Sequence, residues 1–122
     1  TYIKTRILKM GLDTYSSKEE LDYGKIELCG GMMSANGQGS FRGKVYSDFI
    51  EKVTGESLYQ EKISNKTVRT MSFKLTKYIE DNTEETHNPD LYEWEVTWED
   101  AKNLAKWFRA TAWDDADVLG WW

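Results

Sequence analysis

The sequence predicts an α+β domain, with about three helices packed on a small, mainly antiparallel sheet. Three observations carry this reading. Segments 41–54, 66–79 and 98–113 repeat apolar residues at three- and four-residue spacing, the stripe of a helix that buries one face. Short β-branched or alternating stretches lie between them. The chain has 122 residues and is 39% hydrophobic, with six Trp, seven Tyr and four Phe, which is enough for one core and one domain over 1–122.

Each element has its own local reason. Residues 2–8 are β-branched and basic and suit a strand, and 10–15 continue it past Gly11. Ser17 opens a short helical turn, and 25–29 (KIELC) alternates like a strand. The stretch GGMMSANGQGS follows, where Gly30, Gly31, Gly37 and Gly39 point to a loop or tight hairpin. Ser40 then suits the N-cap of the first long helix, whose apolar set is Phe41, Val45, Tyr46, Phe49, Ile50 and Val53, with Gly55 as its stop. Residues 57–63 read as extended. Ser64 or Asn65 caps the second helix, striped by Val68, Met71, Leu75, Tyr78 and Ile79. A polar loop over 81–90 holds Pro89, and 91–96 alternates like a strand. Thr97 opens the third helix with TWED, a capping-box pattern in which Asp100 replaces the usual Glu. That helix buries Ala101, Leu104, Ala105, Trp107, Phe108 and Ala112, and the closing VLGWW is apolar enough to dock on the body.

Charge narrows the classes of partner. The net charge is −5, and residues from 80 onward hold twelve acids against three bases. Such a surface disfavours nucleic acid and suits either plain solvation or a basic protein partner. The second helix is locally basic, with Lys66, Arg69, Lys74 and Lys77, a face expected to pair with the acidic C-terminal third. A single cysteine, Cys29, allows no intrachain disulfide and points to a reducing, cytoplasmic setting. No apolar run reaches the length of a membrane span, so no membrane partner is expected, and the opening TYIKTRILKM lacks the apolar stretch of a secretory signal.

The segment GQGSFR, from Gly37 to Arg42, is the strongest candidate for a binding site. Free amides at a helix start beside glycines attract anions, and Arg42 adds a planar cationic fork. Arg42 lies three, four and seven residues before Val45, Tyr46 and Phe49, which places it on the apolar face of a helix begun at Phe41. A charge there is either an internal ion pair with an acid such as Asp13 or Asp22, or a contact to a bound anion. In the second case Gly37, Gly39, Ser40, Arg42 and Tyr46 form the site, and the ligand is an anionic small molecule or an acidic group of a host protein. The segment is neither a Walker A motif nor a dinucleotide fingerprint.

Other chemistry has weaker signals. Cys29 beside Gly30 is a possible nucleophile with His87 as base, although a lone cysteine is more often a small buried hydrophobe. One Cys and one His make no common zinc site, and the Asp114, Asp115, Asp117 cluster reads as a solvated turn, so no metal or cofactor is expected. A carboxylate pair among the 21 acids keeps an enzyme as a third reading, behind a binding protein and an interaction protein working through the acidic, Trp-rich C-terminal third at Trp94, Trp98 or Trp113.

The phrases MGLDTYSS (10–17), LCGGMMS (28–34), GSFRGKVY (39–46), TGESLYQE (54–61) and LGWW (119–122) together resemble an uncharacterised group of small prokaryotic and phage-type proteins. The resemblance brings no catalytic residues with it. It implies a phage or mobile-element setting, where small acidic proteins bind and inhibit host proteins, and it makes residues 1–9 an extension before Met10.

Overall fold

The computed structural model describes residues 11–18 and 40–122. Their elements are β1 (Asp13–Ser16), β2 (Ser40–Arg42), α1 (Gly43–Thr54), β3 (Lys62–Ile63), α2 (Asn65–Asp81), a single 3-10 turn (Pro89–Leu91), α3 (Trp98–Trp113) and β4 (Val118–Trp121). The architecture is α+β, as the sequence predicts. The four strands lie in the order β2-β1-β4-β3, and every pairing is antiparallel. Predicted strands 2–8 and 25–29 fall outside the described residues.

The sheet carries its core on one face. Thr14 and Ser16 of β1, Phe41 of β2, Ile63 of β3 and Val118 of β4 are buried, while Arg42 and Trp121 are exposed. Against that face pack Tyr46, Phe49 and Ile50 of α1, Val68, Met71 and Leu75 of α2, and the Ala101, Leu104, Trp107 and Phe108 stripe of α3. Phe41 meets Trp107 edge-on, with ring centroids 4.9 Å apart, which ties the sheet to α3.

Caps and stops follow side-chain chemistry. The hydroxyl of Thr97 accepts from the Asp100 amide at 3.1 Å, so the predicted cap of α3 is present. Asp100 itself is buried and receives the Tyr46 hydroxyl at 3.0 Å. Gly55 ends α1 at φ 82, in the left-handed region, as a C′ residue should. At the start of α2 the cap comes from elsewhere in the chain: Asp117 accepts from the Asn65 amide at 2.8 Å while its other oxygen lies 3.7 Å from Lys62.

Two expectations are corrected. The first helix begins at Gly43, after a strand, and Ser40 is no N-cap: Ser40, Phe41 and Arg42 pair with Tyr15, Thr14 and Asp13 instead. The pairing competes for the same backbone, and Gly43 allows the switch. A Cβ there would lie 2.0 Å from Thr14 Oγ1 and 3.0 Å from Leu12 Cδ2, so only glycine lets α1 start against β1. Second, residues 91–96 form no strand. Leu91 ends the 3-10 turn and 92–96 follow it as an irregular strap, held where the Asp48 carboxylate accepts from the Glu93 amide at 2.8 Å and Lys52 donates to the Leu91 carbonyl at 2.9 Å. A strand at Val118–Trp121 takes the place next to β1, from a segment read only as an apolar tail.

Candidate functional site

Three residues of the expected anion site, Ser40, Arg42 and Tyr46, are described, and of these only Arg42 is exposed. Ser40 is buried within β2, Tyr46 is fully buried with its hydroxyl on Asp100, and Arg42 is exposed at the end of β2. Arg42 therefore does not sit on the apolar face of a helix. The register sets it directly opposite Asp13, one of its expected acid partners, the placement that favours opposite charges across a ladder. Gly37, Gly39 and Cys29 lie outside the described residues.

His87 has both ring nitrogens occupied and is no free base. It is buried, with Nε2 2.6 Å from the Val96 carbonyl and Nδ1 2.6 Å from the Tyr78 hydroxyl. A carbonyl only accepts, so Nε2 carries a proton and donates to Val96. The Tyr78 and Tyr92 hydroxyls are 3.4 Å apart, and Phe49, Tyr92 and Trp98 complete the ring cluster. Burial, then the hydrogen bond to Tyr78, pushes Tyr92 well above the ordinary tyrosine range. Burial and the nearby Glu93 raise Tyr59 as well. Among the described residues no group of three His, Cys, Asp or Glu side chains is placed to hold a metal, and no helix is long and apolar enough to cross a membrane.

One open groove among the described residues lies between α2 and α3. These helices run antiparallel: the Asn65 side chain at the start of α2 donates to the Ala116 carbonyl just past the end of α3, at 2.8 Å. Each helix turns the same three-residue set toward the gap. Arg69, Ser72 and Phe73 come from α2, and Arg109, Ala112 and Trp113 come from α3, both at i, i+3, i+4. Ser72 and Ala112 are small and buried, so they make a floor. Phe73 is 70% exposed and Trp113 is 84% exposed. The groove has a volume of about 530 Å³, within the range of ligand-sized clefts. Trp113 is the ridge between this groove and a second one, lined by Lys106, Arg109, Ala110 and Asp114.

The end of α3 shapes the rim. The Ala116 amide donates to the Thr111 carbonyl and the Asp115 amide to the Ala112 carbonyl, the paired bonds of a Schellman stop. Its C′ residue is Asp115, at φ 56, where glycine would be unstrained. The aspartate at this position puts a carboxylate on Arg69, to which it is ion-paired. Of the basic helix face, Arg69 pairs with Asp115 of the acidic C-terminal turn, while Lys77 pairs with Asp81 on its own helix and Lys74 donates to the Thr54 carbonyl; Lys62 of β3 adds a pair with Asp117. Lys106 and Arg109 have no side-chain hydrogen-bond or ion-pair partner among the described residues.

Sequence reasoning named Trp113 as one of three interaction tryptophans but did not single out Phe73 or Arg109. Of the other two, Trp98 packs partly buried against the core, and Trp94 is 45% exposed under Lys44, 5.9 Å from its ring. The missed signal is an aromatic out of step with its stripe: Phe73 falls between Met71 and Leu75, and Trp113 falls one past Ala112. Comparison with protein-family models, with curated proteins and with solved structures finds no match to this chain.

Proposed function

We propose that this chain is a protein-interaction module that binds a segment of another protein in the groove between α2 and α3, with an apolar side chain of the partner packed on Phe73 and Trp113. The supporting observation is the exposure of two large aromatics across a floor of small residues. Leaving such rings in water forgoes roughly 1.5–3 kcal/mol of burial for each large apolar side chain, and aromatic anchors of this kind dominate interface energetics. Inhibition of a host protein, the setting implied by the resemblance, is one use of such a module. The anion-site reading has less support, because Ser40 and Tyr46 are buried and Arg42 is exposed at the end of the strand it shares with Ser40.

A peptide-display selection against the full chain tests the proposal. Enriched peptides are expected to carry a large apolar residue and to lose at least about tenfold in affinity on Trp113→Ser, with the circular dichroism spectrum unchanged. No enrichment, or binding indifferent to Trp113→Ser, refutes it.

A further inference from the structure

We infer that the segment held by the α2/α3 groove is acidic, with a carboxylate next to its apolar anchor bound by Arg109. This rests on the interaction reading above and specifies its partner. Arg69 already has its carboxylate in Asp115. Arg109 does not, and it lines the grooves on both sides of Trp113. Lys106 stands one turn earlier on the same face, equally unpartnered among the described residues, and Asp114 is the one acid in the second groove. Asp114, too, has no side-chain partner among the described residues, so the unpaired charge around the exposed indole is net cationic, two bases against one acid, in a chain whose net charge is −5.

A guanidinium is a fork that fits a carboxylate through two parallel N–H donors, and it stacks on aromatic faces, so one partner side chain on Trp113 and one carboxylate on Arg109 can be met together. A basic segment would instead bring its cations against Lys106 and Arg109. Nucleic acid fits less well, because phosphate-backbone binding draws on many cations along a stripe, and two unpaired ones on an acidic chain supply little.

The test uses peptides enriched on the full chain and the same peptides with Asp and Glu replaced by Asn and Gln. The inference expects acids beside the anchor in the enriched set, and about a tenfold loss of affinity when they are neutralised. Arg109→Gln should cost about the same on the acidic peptide, leave the neutralised peptide unaffected, and be partly rescued by Arg109→Lys. Enriched peptides that are neutral or basic, or acidic peptides indifferent to Arg109→Gln, overturn the inference. In that case continued loss on Trp113→Ser preserves the interaction reading, and absence of that loss removes both.

Discussion

The two ends of the α2/α3 pair treat aromatic side chains in opposite ways. At the end where α2 finishes and α3 begins, Tyr78, Tyr92, Trp98 and Phe49 close around His87, and both imidazole nitrogens are hydrogen-bonded. Toward the other end Phe73, at the middle of α2, and Trp113, at the end of α3, stand in water over Ser72 and Ala112. Tyr78 of α2 and Trp98 of α3 join Phe49 of α1 and Tyr92 of the strap in a sealed cluster, whereas Phe73 and Trp113 of the same two helices line an open groove. The difference lies in register. Tyr78 continues the Val68, Met71, Leu75 stripe that the core requires, whereas Phe73 and Trp113 lie off their stripes.

This contrast orders the expected effects of substitution. His87→Ala leaves the Val96 carbonyl and the Tyr78 hydroxyl buried without their partner and opens a cavity among four rings, so it should cost about 3 kcal/mol of unfolding free energy in urea. A loss under about 1 kcal/mol would mean that the sealed end is not a packed unit. Gly43→Ala forces a methyl group toward Thr14 Oγ1, and overpacking of this kind should cost about 2 kcal/mol. A neutral result would contradict the close approach of α1 to β1.

The sealed end also has a pH signature. Tyr92 ionises at higher pH in the folded chain than in the unfolded one, because burial and the Tyr78 hydrogen bond favour its neutral form. Below the ordinary tyrosine value of about 10 both states keep the proton and stability is flat in this group. As pH rises beyond that, the unfolded chain loses the proton first, so stability falls. Denaturant melts at stepped alkaline pH should show this fall, and Tyr92→Phe should make it shallower. An unchanged slope would place Tyr92 in water.

At the open end the effects on stability shrink. Asp115→Gly relieves a left-handed non-glycine residue while losing an exposed ion pair, two terms of about 1 kcal/mol or less with opposite sign. Its melting temperature should therefore stay close to that of the parent.

Much of the fold is legible in the sequence because long helices declare themselves by periodicity. The buried set of α3 matches its predicted stripe, and Gly55 and Thr97 act as stop and cap. The short strands are harder to read. Ser40–Arg42 has too few residues to show alternation, and its fate was decided by pairing with β1, a partner distant in sequence. The same three residues read locally as a cap and helix start, and that error moved Arg42 onto a face it does not occupy. The helix face at Trp113 was half visible. Its tryptophan could be named, but the Phe73 beside it comes from another helix, and only the antiparallel packing of α2 on α3 brings the two together.

The most direct test measures stability and binding on one preparation of Trp113→Ser. If Trp113 serves a partner and not the core, unfolding free energy should change by no more than about 0.5 kcal/mol while affinity for display-selected peptides falls at least about tenfold. A loss of about 2 kcal/mol or more in stability with affinity unchanged would make Trp113 a structural residue and contradict the account.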